Sequence, residues 1–196
     1  RNLKYKNYHM FEIDFNSCEP YFYLLSNEMI KSNVVDVYKS IQSDLNIKTN
    51  DRKSLKTAII SVMYGAQYNT VKRLAKISKI EYKKLLDYLK IEEFSKKLNK
   101  QIDEKGYMLN YYDRPVLVGN PRSALNYWVQ SSVADFCYLS FDKFISDYNL
   151  NFHAIIHDAI LCSSTKENYD IIEENKYLTC PVSCFKIPVS FSYLTG

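Results

Sequence analysis

Strand-like segments stand at the two ends of this 196-residue chain, and a long helical, Lys-rich stretch separates them. Residues 8–15 (YHMFEIDF) mix apolar and polar positions and read as a strand that ends at Asp14. Residues 152–164 (FHAIIHDAILCSS) read as two strands joined by a tight turn at His157-Asp158, and residues 184–192 as a final strand. A sheet made from these segments must be interrupted by whatever lies between them. The expected class is α+β: a sheet-containing body with helices packed on it and a helical insertion from about 51 to 106.

The intervening stretch carries its own punctuation. An apolar, aromatic run from Glu19 to about Met29 predicts a buried helix, and residues 34–44 predict another. Asn50-Asp51 offers an N-cap for a helix running to Tyr64, with Gly65 placed as a C′ residue. Residues 68–105 read as helical, with Leu85, Leu86, Tyr88 and Leu89 recurring at three and four, until Gly106 breaks the pattern. GYMLNYYDRPVLVG resembles a hairpin, and Pro121 can open a long helix reaching about Tyr148. A last helix is expected from about 166 to 177.

Charge is distributed unevenly along this plan. Residues 48–105 carry 15 Lys or Arg against 7 Asp or Glu, and the remainder 11 against 15, so a basic insertion sits on a mildly acidic body. Such an insertion suits a polyanionic ligand, although on charge alone a solvated Lys-rich surface is the better account. The 18 tyrosines read chiefly as compositional bias. Five cysteines without paired CxxC spacing argue against a disulfide framework and fit a reducing compartment; Cys180 and Cys184 read as apolar packing, with metal ligation as the alternative. No apolar run reaches the length of a membrane span and nothing resembles a signal peptide, so a cytoplasmic protein with no membrane partner is expected.

Three groups of residues can carry chemistry. Asp14 at a strand end and Asp158 at a hairpin turn can meet across adjacent strands and hold Mg²⁺, a hard cation that prefers oxygen. Read alone, each Asp is better explained by turn hydrogen bonding. In the predicted 51–64 helix, Arg52, Lys56, Ile60 and Tyr64 recur every four residues and form one slowly turning stripe. Its two cations can grip phosphates, aided by the positive end of the helix dipole, and its Tyr can sit against a base. Arg122, Asn126 and Gln130 repeat the four-residue spacing on the predicted 121–148 helix, where their donors can reach minor-groove acceptors.

Taken together, these motifs resemble the family A DNA polymerases, the group of bacterial DNA polymerase I and many phage replicases. The matches are Asp14 with Glu19 five residues on; Arg52, Lys56 and Tyr64-Gly65; Arg122, Asn126 and Gln130 followed by Ala134-Asp135; and His157-Asp158. The resemblance implies a palm at residues 1–50 and 107–196 with fingers at 51–106. It implies a two-metal nucleotidyl transferase acting on primer-template DNA and dNTP, with two Mg²⁺ ions on Asp14 and Asp158. Arg52 and Lys56 would hold the triphosphate, Lys56 being a candidate proton donor to pyrophosphate. Tyr64 would stack near the nascent pair and Glu19 would exclude a ribose 2′-hydroxyl. Arg122, Gln130 and Asn126 would contact primer-template, His157 the primer end, and Tyr38 the incoming phosphates.

Four positions depart from the family pattern: Ile60 stands in place of an aromatic, Ser17 of a Gln, Tyr21 of an Arg, and Ala159 of a Glu. The family's thumb and any exonuclease precede its first motif. The expectation here is fingers and palm alone, with a partner chain or a longer parent supplying the rest. A non-catalytic nucleic-acid-binding fragment, or one piece of a split polymerase, is the alternative. A single-subunit RNA polymerase is a third reading, which Glu19 at the sugar gate disfavours.

Overall fold

A computed structural model describes residues 8–31, 34–48 and 51–194. Fifteen regular elements follow one another among these residues: β1 (Tyr8–Phe15), α1 (Cys18–Ser26), α2 (Val37–Leu45), α3 (Arg52–Met63), α4 (Tyr68–Ala75), α5 (Lys79–Tyr88), α6 (Ile91–Lys105), β2 (Met108–Leu109), β3 (Pro115–Val116), α7 (Ala124–Tyr148), β4 (Asn151–Ile156), β5 (Ala159–Thr165), α8 (Lys166–Ile172), β6 (Tyr177–Thr179) and β7 (Lys186–Tyr193). The chain divides into two compact units, 1–18 with 133–196 and 19–132. The insertion expected at 51–106 lies inside the second.

The first unit is a five-stranded antiparallel sheet in the order β4-β5-β1-β7-β6. β1 is central, and over residues 11–15 its alternation gives it one apolar face. Phe11, Ile13 and Phe15 are buried, while Glu12 and Asp14 on the other face are half-buried. The apolar face packs on helices: Phe15 meets Phe136 and Phe141 of α7 at 5.1 and 4.9 Å between centroids, and Phe11 meets Tyr169 of α8 at 4.9 Å. This is the expected α+β class, with an antiparallel sheet and packed helices.

The second unit is mostly helical. Helix α3 buries Leu55, Ala58, Ile59, Val62 and Met63 and leaves its polar stripe outside. An aromatic cluster ties α1 to the later elements: Phe94 packs on Trp128 at 4.8 Å and on Tyr23 at 5.7 Å, and Phe22 packs on Trp128 at 6.3 Å. Tyrosine is more than a compositional habit here. The hydroxyls of Tyr21, Tyr23 and Tyr82 donate to the carbonyls of Val34, Leu89 and Ala66, so the buried rings of Tyr21 and Tyr23 fill the core, that of Tyr82 lies half-buried, and each polar end closes a connection.

Several boundaries differ from the sequence reading. Residues 68–105 form three helices rather than one stretch, because Lys76 and Lys90 adopt left-handed conformations that end α4 and precede α6. Ser78 then starts α5 with a reciprocal capping box to Glu81. The helix expected to reach residue 177 stops at Ile172, and Tyr177–Thr179 becomes an edge strand on β7. The helix expected from Pro121 begins as a 3-10 turn at Pro121–Ser123, capped by Asn120, before α7 proper. Cys180 is buried and Cys184 exposed, on a turn in which the Cys184 amide donates to the Cys180 carbonyl. Of the pair, only Cys180 is therefore packed into the core.

Candidate active site

In the first unit, strand register brings the two predicted carboxylates together. Asp14 lies opposite Ala159 on β5 and Ser190 on β7. Asp158 directly precedes Ala159 in the two-residue connection between β4 and β5, where His157 takes φ 57°. The Phe15 amide donates to the Asp158 carbonyl at 3.2 Å, and the Asn16 amide to the Pro188 carbonyl at 2.8 Å. These bonds fix the hairpin tip against the end of β1, so Asp158 stands one residue beyond the position facing Asp14. Both Asp residues are half-buried and His157 is exposed. Two carboxylates suit Mg²⁺, which takes one or two protein carboxylates and completes its shell with water and substrate phosphate. Ala159, where a Glu was the commoner residue, is buried opposite Asp14.

In the second unit, α3 presents the expected stripe. Arg52 and Lys56 are exposed, and Ile60 and Tyr64 half-buried. Asp51 caps the helix by accepting from the Lys53 and Ser54 amides, and the Ser54 hydroxyl, with those amides, holds its carboxyl below the usual range. Asn50 lies outside the described residues. The cap changes one expectation: the amides at the helix start are already engaged by a carboxylate. A phosphate meeting this helix would therefore find the Arg52 and Lys56 side chains, both exposed, rather than the Lys53 and Ser54 amides.

Glu19 in the first turn of α1 acts on the far end of the stripe. Burial pushes the Tyr64 hydroxyl above its ordinary range, and the Glu19 carboxylate and then Tyr38 raise it further. The hydroxyl closes no hydrogen bond of normal geometry with either group. Tyr38 is fully buried, with the Arg52 guanidinium 5.4 Å from its ring centroid. Tyr21, at the position of a common Arg, is buried and donates to the Val34 carbonyl, so it serves the core of this unit.

Arg122 is exposed on the 3-10 turn, Asn126 is half-buried with a buried, unbonded side-chain oxygen, and Gln130 is exposed on α7. Arg122 thus belongs to a different helical register from the other two. One residue was missed by sequence reasoning: Asp36 caps α2 and pairs with Arg52 at 3.1 Å. Its signal was an Asp immediately before a helical pattern containing Tyr38.

Among solved structures the chain is similar to the POL domain of Pol1 from M. smegmatis, determined in complex with DNA primer-template and dNTP. The TM-score is 0.71 at 18% identity, over 96% of this chain and 40% of that one. At that identity the likeness establishes the fold. No family model and no curated protein matches the chain. No helix among the described residues is long and apolar enough to cross a membrane.

Proposed function

We propose that this chain is the palm and fingers core of a family A DNA polymerase, transferring a deoxynucleotide to a primer 3′-hydroxyl. The observation that carries the reading is the β1–β5 register, which sets Asp14 and Asp158 at the meeting of two strands. Asp14 and Asp158 would hold two Mg²⁺ ions. When bound, such ions lower the pKa of the attacking hydroxyl and neutralise charge on the leaving pyrophosphate.

The remaining roles fall to the chain's own side chains. Arg52 and Lys56 bind the triphosphate, and Lys56 is placed in sequence to protonate the pyrophosphate as it leaves. Tyr64 and Ile60 take the nucleotide's base and sugar, Glu19 excludes a ribose 2′-hydroxyl, and Tyr38 lies beneath Arg52. Arg122, Asn126 and Gln130 read minor-groove acceptors that every base pair presents, which suits a sequence-indifferent enzyme. His157 meets the primer end. In this reading residues 1–50 and 107–196 are palm and 51–106 fingers. The cytoplasm is its setting, in keeping with cysteines that are all free.

Extension of a labelled primer-template by the purified chain, with Mg²⁺ and beside Asp158→Asn, tests the proposal. Extension with dNTP, much weaker with rNTP and lost in the variant, is the expected result. A chain that binds duplex without extending it, alone or with an added thumb-bearing partner, would replace this reading with a non-catalytic binding fragment.

A further inference from the structure

We propose that Asp36 is a positioning residue that presents the Arg52 guanidinium to the triphosphate of the incoming nucleotide. The inference rests on the assignment of Arg52 to that triphosphate. The two oxygens of the Asp36 carboxylate do different work. Oδ1 accepts from the Tyr38 and Lys39 amides at 3.1 and 3.3 Å and so caps α2, while Oδ2 accepts from Arg52 Nε at 3.1 Å. The helix fixes the carboxylate, and the carboxylate fixes the arginine. The guanidinium is held on a second side by the ring of Tyr38, which is itself fully buried.

The edge that Asp36 grips decides the sense of the effect. A carboxylate competing with phosphate would take the terminal fork of the guanidinium in a bidentate pair. Asp36 takes Nε instead, and Arg52 keeps 57% side-chain exposure, against 21% for Asp36. The terminal amino groups are left for a phosphate that binds them in the planar manner Arg favours. Burial disfavours ionisation of Asp36, but the bonds from Arg52 and the α2 amides and the Arg52 charge outweigh it and hold the carboxyl low, so the pair stays charged at neutral pH.

Asp36→Asn separates the two jobs. Asn is as good an N-cap as Asp, so α2 is kept. Its Oδ1 then stays on the amides and its Nδ2 turns a donor toward Arg52 Nε, which breaks the contact. Equilibrium binding of Mg·dNTP, tripolyphosphate and dNMP to the whole chain is the measurement. Triphosphate and tripolyphosphate binding are expected to weaken about three- to fivefold, the scale of a partly exposed ion pair. Binding of dNMP and the melting temperature should stay at their wild-type values, and in an Arg52→Lys background the Asp36→Asn change should have no further effect. Unchanged or tighter triphosphate binding in Asp36→Asn would overturn the proposal even if primers are extended normally. Weakened binding in a chain that extends no primer would uphold it and remove the polymerase reading. A wild-type chain that binds neither triphosphate overturns the Arg52 assignment and this proposal with it.

Discussion

At Ile60 the α3 stripe swaps a ring for a branched aliphatic group of similar bulk, on a half-buried position between Lys56 and Tyr64. A flat ring packs against a sugar along its whole face, whereas Ile contacts it through methyl groups. If α3 receives the nucleotide, Ile60→Phe and Ile60→Tyr should change the ratio of dideoxy- to deoxynucleotide incorporation severalfold while leaving correct extension largely intact. A ratio equal to that of the unaltered chain, measured by chain-termination ladders, would remove Ile60 from the sugar pocket. The nearness of Asp14 and Asp158 in the fold was legible from sequence because one sits at a strand end and the other in a tight hairpin turn, where strand pairing decides who meets whom. The Glu19 effect on Tyr64 was not legible, since it depends on how α1 and α3 pack. Asp36 was not legible as an Arg52 partner, because the pairing joins residues 16 apart on two helices.

Helix endings show why element boundaries were the weaker part of the reading. Glycine is the usual marker of a left-handed stop, and this chain has four glycines, while nine non-glycine residues take positive φ among the described residues. Gly65 and Gly106 gave visible stops at φ 75° and 77°, and both were read correctly. Lys76 and Lys90 do the same work at φ 55° and 49° without any such mark, so α4, α5 and α6 read as continuous. The strain argument predicts opposite effects at the two kinds of site. An added Cβ at Gly65 meets nothing within 4 Å, so the cost of Gly65→Ala is backbone strain alone. That cost is about 1 kcal/mol. Lys76→Gly should stabilise by roughly 0.5 kcal/mol, the relieved strain exceeding the added freedom of the unfolded chain. Urea midpoints at unchanged slope check both signs; a neutral Gly65→Ala would show that α3 ends without needing the left-handed residue.

On the scale of the whole molecule, the charge asymmetry read from the sequence coincides with the structural division: the basic residues 48–105 fall inside the helical unit, while the strands that carry Asp14 and Asp158 lie in the other. A polymerase must concentrate two anions, a nucleotide and a duplex, near a cluster of carboxylates that would repel them. In the proposed function, cations on a separate unit would attract the polyanions without neutralising the carboxylates assigned to the metals. This separation predicts where the salt dependence of nucleic-acid binding arises. Each phosphate contact adds about 0.9 to the slope of log K against log salt on duplex DNA. Lys79, Lys83 and Lys97 are exposed on α5 and α6, and substituting all three by Gln should lower that slope by as much as about 3 if each meets a phosphate. The control triple changes Lys143, Lys166 and Lys186 in the sheet unit, where Lys143 is already paired with Asp147 at 2.8 Å, and should leave the slope nearly unchanged. Equal reductions from the two triples, measured by fluorescence anisotropy across a salt series, would mean that net charge rather than its placement governs attraction, and the helical unit would lose its role as the phosphate-gathering surface.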